Sequence, residues 1–142
     1  MAERMLEKLG LETSELSILL TDDAGIRKLN LAFRHVNSAT DVLAFPLDGK
    51  RGALQGAPRL LGDVAISLDT AARQARSRGR KLVEEVRLLL AHGILHLIGY
   101  DHRTASQKQR MRSMTRRLIR AAGGPRSPAR RSETRRKRPR AR

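Results

Sequence analysis

The stretch HGILHLIGYDH, residues 92–102, holds three of the chain's four histidines. His92 and His96 are four apart, so on an α-helix they lie about 40° apart around the axis, one turn above the other. Two imidazoles so placed can share one metal ion. On a straight helix His102 would lie about 9 Å beyond His96 and on nearly the opposite side. Gly99 stands where the chain must reverse, and glycine enters the left-handed conformation without a Cβ penalty. The spacing therefore predicts a helix, a glycine stop, a reversal and a third ligand, with one zinc ion per chain held by His92, His96 and His102. An isolated i,i+4 pair of histidines is ordinarily packed or solvated. The third histidine and the placed glycine shift the balance to a metal site.

Three histidine ligands leave one position open on zinc, which suits a water whose pKa the ion lowers from about 15.7 toward about 7. Ligand type and geometry favour zinc over copper or nickel. The H-x3-H-x2-G-x2-H spacing is that of the metzincin proteases, which carry a glutamate base after the first histidine. Here that position is Gly93, so a peptidase is disfavoured. Its glycine leaves the metal face without an added negative charge.

The elements that position these residues must come from 142 residues, enough for one ordinary domain. There is no cysteine, hence no disulfide partner and no thiolate site; any metal ligand must be histidine or carboxylate. The opening MAERMLEKLGLE is too charged for a signal peptide, and no apolar run is long enough to span a membrane, so a cytoplasmic location is expected. The net charge of +16 is uneven: residues 123–142 carry nine Lys/Arg and one acid, Glu133. That segment is nearly devoid of apolar side chains and reads as a disordered basic arm following a domain at 1–122. Such arms serve polyanions through counterion release, or serve solubility alone.

Along the body, AERMLEKL (2–9) reads as a helix, and ELSILLTDD (15–23) as a buried strand closed by a turn. Asp22 or Asp23 then caps a helix over 24–33 with Ile26, Leu29 and Phe33 in helical spacing. TDVLAFPL (40–47) is strand-like with Pro46 near its exit. GKRGALQGAPR reads as a flexible, hairpin-type connection, and LLGDVAISL (60–68) as another strand. A helix capped by Asp69 or Thr70 stops at Gly79. KLVEEVRLLLAHGILHLIG forms the long histidine helix. TASQKQRMRSMTRRLIRAA forms a last helix with Met111, Met114 and Leu118 inward. The predicted order is α-β-α-β-β-α-α-α: an α+β domain, a small mixed sheet with helices packed around the metal-binding helix.

Four stretches in this order, ELSILLTDDAGIRKLN, FRHVNSATDVLAFPL, LLGDVAISLDTAARQA and LLAHGILHLIGYDH, resemble the YbeY family of bacterial rRNA maturation factors. These are single-strand endoribonucleases with a zincin-like fold. The resemblance covers roughly residues 15–120, and HGILHLIGYDH is its most specific element. It implies zinc at His92, His96 and His102, and a functionally important Arg34 facing the metal cleft. Taken by itself, an arginine after a helix is usually a solvated residue. A guanidinium can, however, hold a phosphodiester bidentately and offset charge that develops during cleavage. The resemblance further implies action on the 3′ end of small-subunit rRNA, a role in ribosome quality control, and as partners the small ribosomal subunit, a ribosomal protein and an assembly GTPase.

The chain departs from the family pattern in three ways. It starts at the first helix, where the family usually has a preceding strand; it has Ala44 where serine is common; and the arginine-rich arm is extra. Asp101 could orient a ligand imidazole, accept a proton or cap the following helix. Thr40 and Asp41 read as turn and cap residues, and His35 as a surface or RNA-facing residue. Three functions remain: a zinc-dependent endoribonuclease with metal-assisted attack or leaving-group stabilisation, a non-catalytic zinc-containing RNA-binding assembly factor, and, least favoured, a metallopeptidase.

Overall fold

A computed structural model describes residues 1–47 and 59–123. The glycine-rich connection and the basic arm lie outside these residues, apart from Arg59 and Gly123 at their edges. Eight elements follow in order: α1 (Ala2–Lys8), β1 (Glu15–Thr21), α2 (Asp23–Arg34), β2 (Val42–Pro46), β3 (Leu60–Ser67), α3 (Leu68–Ser77), α4 (Leu82–Leu97) and α5 (Ala105–Ala121). The order and the α+β class are those the periodicity predicts.

The sheet has the order β1-β3-β2, with β3 parallel to β1 and antiparallel to β2. Alternation along β3 sends Val64 and Ile66 to one face and Ala65 to the other. The first face meets α4, whose Leu89, Leu90, Ile94 and Leu95 are buried with Met5 and Leu6 of α1 and with Met111 and Leu118 of α5. On the second face Ala65 packs with Leu43 and with Ile26 of α2. Helix α4 thus lies between sheet and outer helices, with little of it left to solvent. Met111 and Leu118 point inward as expected, and Met114 is partly buried against the same core.

Two expectations need correction. Strand β1 is not buried: Ile18, Leu19 and Leu20 are 39%, 49% and 51% exposed. Among the described residues it pairs with β3 alone and no helix packs closely across it, so its apolar residues lack the cover that α4 and α2 give β2 and β3. Helix α3 is capped not by Asp69 or Thr70 but by Ser67, whose hydroxyl accepts from Thr70 N at 3.3 Å.

Those residues instead tie α3 to the start of α2. The Asp23 carboxylate accepts from Ser67 Oγ and Thr70 Oγ1, each at 2.6 Å, and from Arg73 at 2.8 Å, while Asp23 N donates to Asp69 at 3.0 Å. Three donors hold the Asp23 carboxyl down at about 2, the Ser67 bond contributing most. Asp22 caps α2, accepting from Gly25 N at 2.7 Å. The start of α4 is anchored differently: Glu85, fully buried, meets Arg78 at 2.8 Å and Arg80 at 3.8 Å.

Candidate active site

The end of α4 is built by two backbone bonds. Gly99 N donates to His96 O at 3.2 Å and Tyr100 N to Leu95 O at 3.0 Å, the paired bonds of a Schellman stop. Gly99 has φ +99°, on the left-handed side, as the reversal requires. The chain then passes Asp101, and His102 comes back toward His96, their rings 5.5 Å apart and nearly edge-on. Thr104 and Gln107 form the capping box that starts α5. Asp101 is therefore not the cap. It accepts from His102 N at 2.7 Å and pairs with Arg103 at 3.1 Å, holding the turn that carries His102.

On the opposite wall, Arg34 is the last residue of α2. His35 follows in the left-handed conformation, φ 58°. The loop beyond is pinned to α2 by Asn30 Nδ2 donating to Ser38 O at 3.0 Å and Arg27 Nε donating to Asn37 at 2.7 Å. These contacts set where α2 ends, and so where Arg34 stands.

Both walls meet at one cavity of about 440 Å³, lined by Arg34, Asp41, Val42, Ala44, His92, Gly93, His96 and His102 among others. The structure thus brings together all four residues singled out in the sequence. His35 does not line this cavity and is exposed, in keeping with a surface role. Ala44 lines it without a hydroxyl.

Burial is the main force that lowers the pKa of both His92 and His96. For His92 the neighbouring His96 adds to this, while Asp41 opposes it. For His96 the field of His102 adds, the backbone of Tyr100 and the charge of Asp101 oppose, and Arg34 lowers it further. Both imidazoles therefore favour the neutral form, the one that ligates a metal. The donor chemistry fits zinc: three imidazoles on one cavity and a carboxylate nearby. As the side chains stand, no three His, Cys, Asp or Glu among the described residues form a ready-made cage. His102 is exposed, which leaves its ring room to turn.

Sequence reasoning passed over Asp41 as a turn residue. It does accept from Val42 N at 2.7 Å, but its other oxygen accepts from Gln74 at 3.2 Å and the carboxylate reaches the field of His92. Nothing in local spacing reveals this, because 51 positions separate Asp41 from His92. Gly93 also has a structural reason: it is buried, and a Cβ there would stand 2.6 Å from Val64 Cγ1 and 3.0 Å from Cγ2. Close packing of α4 on β3 thus favours glycine here and disfavours the glutamate of a peptidase, whose Cβ would already press on Val64.

Fold and cavity together define a small α+β protein with an imidazole-lined cleft that also holds one guanidinium, Arg34, and one carboxylate, Asp41. A model of the family described as Endoribonuclease YbeY matches residues 1–123, and the chain belongs to the YbeY family. It is similar to the Endoribonuclease YbeY of Anaeromyxobacter dehalogenans, 52% identical over 86% of this chain and 61% of that protein. It is likewise similar to that of Aquifex aeolicus, 49% identical over 77% and 70%. The chain thus spans about three fifths of the Anaeromyxobacter relative's length. The solution structure of a Thermotoga maritima protein shares the fold, with a TM-score of 0.55 and 23% identity over 90% of this chain and 87% of that one. No helix among the described residues is long and apolar enough to cross a membrane.

Proposed function

We propose that the chain is an endoribonuclease that cuts single-stranded ribosomal RNA in the cavity of His92, His96, His102 and Arg34. The observation that carries this is the convergence of three imidazoles and one guanidinium, from α4, the turn after it and the end of α2, on a single cleft. Family membership supports RNA as the substrate. In this reading the site is zincin-like, and His92, His96 and His102 hold one zinc ion, which supplies Lewis acidity and a nucleophile at neutral pH. Arg34 binds the phosphodiester through two parallel N–H bonds and offsets the charge that builds on it. Asp41, fixed by Val42 N and Gln74, steadies His92. The 3′ end of small-subunit rRNA, the small ribosomal subunit, a ribosomal protein, an assembly GTPase and a cytoplasmic setting complete the proposal.

Gly93, standing where a general base would be, favours one second reading, a zinc-containing RNA-binding assembly factor that does not cut. Cleavage of single-stranded rRNA by the purified chain separates the two. Arg34→Ala is expected to lower the rate about a hundredfold, as loss of one transition-state donor does, with bound zinc unchanged. An Arg34→Ala variant as active as wild type overturns the assignment of Arg34, and rRNA left intact by wild type overturns the nuclease.

A further inference from the structure

The histidine cluster opens on a second side. A cavity of about 390 Å³ is lined by the same three histidines together with Lys108, Met111 and Arg112 of α5. Arg34 does not line it; it belongs to the first cavity, toward α2 and β2. Cationic groups therefore stand on both sides of the imidazoles.

Helix α5 is unusual in its charge. It carries Lys108, Arg110, Arg112, Arg116, Arg117 and Arg120 and no acid. None of the six has an ion-pair partner among the described residues. Lys108, Arg112, Arg116 and Arg120 follow one another at intervals of four, a row that climbs about 6 Å per step and drifts slowly around the helix. Met111, Thr115 and Leu118 form the buried stripe, and Lys108 and Arg112 flank it on the histidine side. Arg110 and Arg117 flank it on the other, beside Tyr100. A helix that needed charge only for solubility would gain nothing by turning part of it to the histidine cluster.

Resting on the endoribonuclease reading, we infer that Lys108 and Arg112 form a phosphate-binding rail for the RNA strand on the side of the histidines away from Arg34. The strand then crosses the imidazoles with one phosphate on Arg34 and the following ones along α5. No Phe, Tyr or Trp lines either cavity, so the strand is gripped by its phosphates rather than by stacked bases. Lys108 and Arg112 are positioning residues that act on binding, not on the bond that breaks.

Two double variants of the full chain test this, each removing two exposed charges from α5: Lys108→Ala with Arg112→Ala, and Arg110→Ala with Arg117→Ala. Circular dichroism checks that both stay helical. Cleavage of rRNA gives kcat and KM, and binding of a labelled single-stranded oligouridylate at several salt concentrations gives affinity without turnover. The first pair is expected to raise KM and Kd about tenfold, leave kcat within about twofold, and lower the log–log salt slope by about 1.4, two contacts at about 0.7 each. The second pair is expected to leave all of these near wild type. Equal weakening by both pairs, or by neither, overturns the rail. If wild type leaves RNA uncut while the two pairs still differ in binding, the nuclease reading falls and the rail stands.

Discussion

At Gly93 a single missing side chain decides how closely α4 can lie on the sheet. Alanine there would recover about 1 kcal/mol of helix propensity, since glycine inside a helix costs that much. Against this, its Cβ would press on both methyls of Val64, which is fully buried and has nowhere to go. Overpacking of this kind costs about 1–3 kcal/mol, so Gly93→Ala is expected to be net destabilising by about 1 kcal/mol. In a Val64→Ala background the same change becomes neutral or stabilising, because the clash is gone; chemical denaturation of the four forms gives the coupling. Additive effects would mean that the backbone yields instead. Asp23 offers a second test. Its carboxyl titrates at about 2 in the fold against the ordinary 3.8, so the folded state favours its charged form. That contribution is complete above the unfolded value and disappears as pH falls through about 2. Asp23→Asn should therefore lower the unfolding midpoint by a constant amount from pH 5 upward, with the gap to wild type closing as the solution is acidified toward pH 2. A gap that does not narrow would show that the Ser67, Thr70 and Arg73 contacts act without regard to charge.

The turn from α4 to α5 shows which links were visible in the sequence and which were not. The i,i+4 histidines, the glycine stop and the returning third histidine are local in the chain, and the Schellman bonds at Gly99 reproduce them. Gly99→Val tests that turn. No atom lies within 4 Å of where its Cβ would go, so the cost is the φ of +99° alone, about 1–2 kcal/mol for a residue forced to the left-handed side. Relief of that strain would move His102 away from His96. The expected result is a folded protein with less bound zinc by elemental analysis; full zinc retention would mean that the reversal does not depend on glycine. Helix periods and strand runs were equally legible, since burial periodicity is written residue by residue. What escaped was non-local. Ser67 took the α3 cap, and Asp23, 44 positions before Ser67 and 47 before Thr70, accepts from both hydroxyls. Asp41 reached the cavity through the fold, and β1 was left exposed because no helix packs closely across it. Arg34 came from family resemblance alone, and the loop contacts that place it show why no spacing rule could have found it.

Across the whole molecule the dominant quantity is charge, and it bears directly on how an RNA would be held. The chain carries 30 Lys/Arg against 14 Asp/Glu, and nine of those bases with a single acid fall in residues 123–142. With only one tyrosine, two phenylalanines and no tryptophan, it has few side chains on which bases could stack. Binding should therefore be governed by phosphates and be steeply salt-dependent, with little preference among base sequences. Each phosphate met by a basic side chain adds about 0.7 to the log–log slope for a single strand. Ending the chain at Gly123, where the family match ends, removes nine basic groups. Only part of them can meet phosphates at once, so the slope is expected to fall by several contacts rather than by nine. Affinity should drop most at low salt, where counterion release contributes most. The α5 pair and the truncation should combine additively if helix and tail meet different phosphates, and less than additively if they compete for the same ones. Isotherms of oligouridylate binding at a series of salt concentrations, for full-length and shortened chains with and without Lys108 and Arg112, read out both effects. Identical slopes for the two lengths would show that residues 124–142 never meet the RNA.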